Sequence, residues 1–203
     1  MTAGDSAAAS AKATQAAASR GLDSLVVIAD DTLKEVSADV YARVLAKAIS
    51  DIGDIDLIIA GDASADIGGQ AVPGLLAGYL GIPSFGDVNK LETTVQGMQI
   101  QRQTANAHQI LRLTGPAVIS VTTDAASIPL IGMKDMMAAR KKPVTKLTLA
   151  DLGISAEISS LITKVKLLST AKPEVKPRKH IIFDSDNAAA ELVAALRKEG
   201  VIS

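Results

Sequence analysis

This sequence predicts a doubly wound α/β fold with a mostly parallel sheet, an antiparallel hairpin insertion and a C-terminal arm. Three observations lead there. Leu25–Ala29, Leu57–Ala60 and Ala117–Val121 are short apolar runs with β-branched residues, long enough for buried strands and too short for helices. The segment from Ser37 to about Ile52 places Val40, Val44, Leu45, Ala48 and Ile49 on one helical face between the first two runs. The second run then passes through a glycine-bearing loop into another helical segment. Strands alternating with helices build parallel sheets through right-handed crossovers.

Residues 1–20 are rich in Ala and Ser and carry Lys12 and Arg20, a composition shared with organelle transit peptides. Asp5 sits early, however, and the run leads directly into Gly21-Leu22-Asp23. A surface helix with an Ala face, stopped by Gly21, is the preferred reading. Strand Leu25–Ala29 follows, and then the acidic turn Asp30-Asp31. Ser37 is placed to cap the next helix, which at 1.5 Å per residue is about 22 Å long and suits one crossing of a sheet. Strand Leu57–Ala60 comes next. After the loop, Val72, Leu75, Leu76, Tyr79 and Leu80 recur at helical spacing, with Gly81 as the stop.

The period then changes. Across Phe85–Leu91, Val95–Arg102 and Gln109–Leu113 the apolar residues alternate, as in half-exposed antiparallel strands, with Gly97 at the first turn. His108 lies there alone, without a carboxylate at ligand spacing, and reads as a surface hairpin position. Ala117–Val121 returns to the central sheet. Residues 133–142 read as a short helix ending in Arg140, Lys141 and Lys142, cations that favour a helix C-terminus. From Pro143 the chain loosens, and residues 155–179 predict an extended arm. His180–Phe183 predicts a strand, and Asp186 or Asn187 the cap of a last amphipathic helix closed by Gly200. Residues 1–154 thus form the α/β domain, and 155–203 an arm with a docking strand and helix.

Composition narrows the chemistry. The chain has 203 residues, 48% of them hydrophobic, and a formal net charge of −1, so nothing pulls it globally toward nucleic acid or a membrane. No apolar run approaches the roughly 20 residues of a membrane span. Cysteine is absent, which removes disulfides, thiol nucleophiles and thiolate metal sites and is compatible with a reducing compartment. With two Tyr, two Phe and no Trp, base-stacking platforms are excluded. Neither paired carboxylates nor a Ser–His–Asp arrangement emerges. A binding or carrier subunit therefore leads over an enzyme.

The loop between Ala60 and Val72 carries Gly61, Ser64, Asp66, Gly68 and Gly69. It is neither GxGxxG nor a P-loop, since no Lys-Ser/Thr follows Gly69. Strand, glycine-bearing loop and helix start nevertheless form the usual anion or nucleotide position of α/β proteins. A plain strand-to-helix turn is the other reading.

Taken in order, several stretches resemble the β subunit of electron transfer flavoproteins. They are Arg20-Gly21-Leu22-Asp23 with the Asp30-Asp31 turn, DLIIAGDASAD with GGQAVPGLLAGYLGIP, Ile100-Gln101-Arg102, GPAVISV, MKDMMAARKKPV and TLADLGI. The match covers most of residues 18–154. The resemblance implies a Rossmann-type fold of the adenine nucleotide α-hydrolase-like kind. It also implies a non-enzymatic electron carrier. The partner is an α subunit that chiefly holds one FAD, and electrons come from flavin dehydrogenases, acyl-CoA dehydrogenases being one type. It implies AMP on Gly61, Ser64 and Asp66, with Gly68, Gly69, Gln70, Ala71 and Val72 presenting backbone N–H groups to the phosphate. It places dehydrogenase recognition near residues 155–166, with Leu161 or Ile162 as apolar anchor. Arg102 and Gln103 stand where the family has the Arg-Glu pair that faces the flavin domain, and Ala126-Ser127-Ile128-Pro129 stands where it has Asn-Glu-Pro-Arg.

The family also begins with a further strand, helix and strand, whereas this chain starts within the fold at Thr2-Ala3-Gly4. If Met1 is the true start, a sheet edge is uncovered, and the chain alone is expected to be poorly soluble or oligomeric. The expected location is the cytoplasm. Two other readings remain open: a non-redox adenine-nucleotide-binding regulatory module, and a structural paralogue that has kept its interfaces but not its AMP.

Overall fold

A computed structural model of the chain describes residues 1–64, 67–162, 168–169, 171–175, 177 and 180–202. They fall into two compact units, 1–166 and 167–203.

The first unit opens with β1 (Thr2–Gly4), a 3-10 turn over Ser6–Ala9 and helix α1 (Ala11–Ala18), whose cap is the Ser10 hydroxyl accepting from the Ala13 N–H. The Ala-rich start is therefore a strand and two short helical pieces, and Gly21 follows at φ +92 as a stop. β2 (Leu25–Ala29), α2 (Ala38–Ile52), β3 (Leu57–Gly61) and α3 (Val72–Leu80) come next, in the alternation that the sequence predicts. Gly81 closes α3 in the left-handed conformation, its N–H donating to carbonyls of Ala77 and Gly78. β4 (Ser84–Thr94), β5 (Gly97–Gln103) and β6 (His108–Arg112) form the antiparallel insertion. β7 (Ala117–Val121), α4 (Met133–Ala139), β8 (Val144–Leu147) and α5 (Ser155–Ile162) complete the unit.

The strands form two sheets rather than the single central one expected. The first has the order β1-β2-β8 and is wholly parallel, and the second has the order β3-β7-β4-β5-β6. β4 serves two partners. Ser84 and Phe85 run parallel to β7, the register shifts at a bulge containing Asp87 (φ +57), and the rest runs antiparallel to β5. Phe85 and Gly86 are half-buried and Val88 is buried, whereas Lys90–Thr94 are exposed, so the alternation over Phe85–Leu91 belongs to a strand that leaves the core partway along.

Helix α2 serves both sheets. Val40, Val44 and Ala48 pack with Ile28, Leu33, Leu149 and Ile158 on the first. Ala42 and Ala46 pack with Leu76, Ala77 and Val118 on the second. Spacing alone marked Val40, Val44, Leu45, Ala48 and Ile49 as the buried face; Ala42 and Ala46 form a second buried stripe against α3.

α5 corrects the extended arm expected from Ser155. Ile158 is fully buried in the first core, and Leu161 and Ile162 pack half-buried against it, the i, i+3, i+4 spacing of a docked helix. Arg43 on α2 grips this helix by a two-point ion pair, Nε to Oε1 and Nη2 to Oε2 (2.9 Å) of Glu157. The guanidinium also lies 5.5 Å from the Tyr79 ring centroid, and the Tyr79 hydroxyl donates to Asp39 at 2.8 Å. Arg43 holds the Glu157 carboxyl below the usual range, and its own pKa is raised by the same bond.

The Asp30-Asp31 turn is a structural knot. Asp30 accepts from the Thr32 hydroxyl (2.7 Å) and from the backbone N–H of Thr32 and Leu149, and Asp31 accepts from the Ser6 N–H (2.9 Å). Asp151 accepts likewise from the Thr148 hydroxyl and N–H. These bonds lower all three carboxyl pKa values. A depressed folded-state value stabilises the fold above the ordinary values of 3.8 for Asp and 4.5 for Glu, and that stabilisation is lost as pH falls through the lower folded values. These groups therefore leave the melting temperature level from about pH 8 to about pH 5 and lower it below about pH 4.5. Melting curves across that range check this, and Asp30→Asn is expected to make the acid limb shallower.

The second unit contains α6 (Ala188–Lys198), with Asn187 at its N-cap and Gly200 (φ +71) past its end. The Ser185 hydroxyl donates to Glu191 (2.8 Å) and accepts from the Asn187 N–H, which bridges the first turn. His180–Phe183, expected as a strand, is not one. A strand needs a neighbour for its backbone groups, and Ile181 and Ile182 stand exposed.

Candidate functional site

β3, β7 and the start of β4 run parallel, so their C-terminal ends open on the same side, where α/β sheets bind ligands. Gly61 is the last residue of β3, in register with Val121, and the Asp62 N–H adds one more bond to the Val121 carbonyl (3.2 Å). The chain then turns sharply, the Gly68 N–H donating to the Ser64 carbonyl (3.0 Å). Gly68 at φ +63 and Gln70 at φ +50 are both left-handed, which aims the backbone into α3. α3 has no side-chain cap, and Pro73 sits in its first turn, where a missing N–H costs nothing.

A cavity of about 570 Å³ lies against this loop. Gly61, Ser64, Gly69, Gln70, Ala71 and Val72, six of the expected nucleotide contacts, line it together with Asp62. Gly68 shapes the turn without lining the cavity, and Asp66 lies outside the described residues. Val36, Tyr41 and Leu45, from the entry and first turns of α2, supply an apolar wall, and Thr2 and Ala3 of β1 close another side. The Tyr41 hydroxyl is engaged elsewhere, donating to the Leu33 carbonyl at 2.8 Å, and burial raises its pKa.

A smaller cavity of about 250 Å³ adjoins, lined by Ser84, Gly86, Asp87 and Ser120, and the two share Asp62, Gln70 and Pro73. Asp62 is the pivot. One carboxylate oxygen accepts from the Ser120 hydroxyl (3.1 Å) and the other from the Gln70 amide (2.6 Å). Sequence reasoning passed over both Asp62 and Ser120. The signal for Ser120 is that it is the single polar residue in the buried run Ala117–Val121, at 4% exposure. A buried hydroxyl needs a partner, and Asp62 supplies it.

The other singled-out residues lie apart from both cavities. Arg102 and Gln109 face each other across β5 and β6, and the Arg102 Nε–H donates to the Gln109 side-chain Oε1 (2.8 Å). Gln103 is exposed at the end of β5. Leu161 and Ile162 face the core from α5. His108 begins β6 as an exposed residue, and among the described residues no group of three or more His, Asp or Glu side chains forms a metal site. No described helix is long and apolar enough to cross a membrane.

The segment after β7 exposes much apolar surface: Leu130 is 99% exposed, Met133 81%, and Ile128 and Met137 are also open. In α4 the Asp135 carboxylate accepts the Gly132 N–H (3.0 Å), which secures the first turn, and Lys142 reaches back to the Leu22 carbonyl.

The family model of the electron transfer flavoprotein domain matches residues 1–152, a span that includes both sheets, the hairpin, the cavity loop and α4. The chain belongs to the electron transfer flavoprotein family, whose members are electron carriers rather than catalysts.

Proposed function

We propose that this chain is the β subunit of an electron transfer flavoprotein heterodimer. It scaffolds a flavin-bearing α subunit and docks dehydrogenases, so that their electrons reach a downstream acceptor. The observation that carries the reading is the exposed apolar segment Ile128–Met137, which contains Lys134 and is followed by Arg140 and Lys141. An apolar patch with a charged rim marks a protein partner surface. Arg102 and Gln103 add a polar contact toward the same partner. Gln103 is neutral, so the hairpin contributes a hydrogen bond there and no ion pair. The dehydrogenase docks on residues 155–166; Leu161 and Ile162 pack half-buried against the core, so they reach the partner only with the surface they leave open. The cysteine-free composition fits work in the cytoplasm.

FAD, held chiefly by the α subunit, supplies the redox chemistry, and this chain positions it. The cavity loop takes an adenine nucleotide, AMP by the resemblance, on Gly61, Ser64, Asp66 and Gly68–Val72. Room and lining fit an adenine: about 570 Å³, one wall apolar, and a helix start whose first N–H groups have no intrahelical acceptor.

Coexpression with a candidate α subunit tests this. A yellow complex that releases FAD on denaturation is the expected result. The double variant Leu130→Asp, Met133→Asp is expected to abolish copurification while leaving the melting temperature within about 2 °C, because both side chains are exposed. A colourless complex, or none, overturns the carrier reading.

A further inference from the structure

We propose that Met133, Met136 and Met137 of α4 form a reversible oxidation site: hydrogen peroxide turns their thioethers into sulfoxides, and the sulfoxides block docking of the partner subunit. The docking part rests on the reading of Ile128–Met137 as the surface for that subunit. The oxidation part stands on this chain alone.

The chain has no cysteine and 5 methionines, so methionine carries all of its sulfur chemistry. With no thiolate to react first, a peroxide meets thioethers, and exposure decides which of them it oxidises. Met133, Met136 and Met137 stand at the i, i+3 and i+4 positions that share one helix face. Met133 is 81% exposed, Met137 65% and Met136 48%, whereas Met98 in β5 is half-buried. The rest of α4 holds this face outward. Ala139 is buried with Ala18 and Leu25, the Gln15 amide donates to the Met136 carbonyl (3.3 Å), and Asp135 secures the first turn through the Gly132 N–H (3.0 Å). A change at the three sulfur atoms therefore leaves the core untouched.

The step balances with peroxide as its only co-reactant. An Sγ lone pair attacks one peroxide oxygen, and an S–O bond forms as the O–O bond breaks. Sulfur gives up two electrons, and the proton on the transferred oxygen passes to the departing hydroxide, which leaves as water. A dithiol reductant reverses the step: two thiols become a disulfide, the oxygen leaves as water and the thioether returns. The consequence for docking follows from polarity. A thioether is soft and apolar and fills irregular gaps against a partner. A sulfoxide carries a strong acceptor that is costly to bury without a donor. Three of them beside Ile128 and Leu130 turn an apolar patch polar.

Treatment of the full chain with hydrogen peroxide, followed by peptide mass spectrometry, tests the site. Met133 and Met137 are expected to gain oxygen several-fold faster than Met98, with Met136 between them. The melting temperature is expected to stay within about 2 °C, because the altered side chains are exposed. Binding of a candidate α subunit to the treated chain is expected to weaken by about tenfold or more, and to recover after methionine sulfoxide reductases act with a dithiol. The triple variant Met133→Leu, Met136→Leu, Met137→Leu, whatever its own affinity, is expected to lose none of it on the same treatment, which assigns the loss to these three sulfurs. Equal oxidation of Met98 and Met133, or undiminished binding of the oxidised chain, overturns the proposal and leaves the subunit reading in place. If the untreated chain binds no α subunit, that reading fails and the proposal falls with it.

Discussion

Ile158→Ala is expected to destabilise the first unit by about 2–5 kcal/mol, the range for removing a large aliphatic side chain from a closed core. Ile158 is fully buried among Ile28, Leu33, Val40, Val44 and Leu152. Because α2 and the β2 sheet hold the walls of that space in place, the void has little room to collapse. Urea unfolding of the full chain gives the number. A loss under about 0.5 kcal/mol, the size of an ordinary surface substitution, would mean that α5 is not part of the core. Its consequence for function is direct. Residues 155–166 are the proposed dehydrogenase contact, and a helix detached from the core would present that contact poorly.

Overpacking is expected to matter nearly as much. Ala42→Leu should cost about 1–3 kcal/mol, because Ala42 is fully buried against Leu76, Ala77 and Val118 and added methylenes have nowhere to go. The same change at Ala38, on the partly exposed first turn of α2, is the control and should be nearly neutral. Equal effects at both positions would show that α2 does not lie tight against α3. Sequence patterning did not single out Ala42 or Ala46, yet these two alanines are what lets this helix approach its neighbour.

Much of the fold is legible because it is local. Alternation over Phe85–Leu91 and Val95–Arg102 announces a hairpin, and Gly97 at φ +112 shows why the turn falls where it does. Helical spacing from Val72 to Leu80, with Gly81 as stop, names α3 to the residue. What the sequence hid is non-local. Nothing near Leu57 says that β3 takes β7 on one side and leaves β1 to the other sheet, since edges are decided by residues far away in the chain. Ile181 and Ile182 have strand propensity, but propensity without a neighbour makes no strand. At the candidate site, the glycine-bearing loop was visible as a pattern. The carboxylate that organises it was not, because Asp62 acquires its meaning from Ser120, 58 positions later.

Helix α2 has one more implication, for how the molecule breathes. Its two buried stripes hold different sheets, so neither sheet can shed the helix without uncovering apolar surface on the other. Among the described residues the two sheets share no strand pairing, yet their opening is tied through this helix. They form one cooperative unit for partial unfolding, and the cavity loop, which joins the second sheet to α3 beside α2, is braced by both.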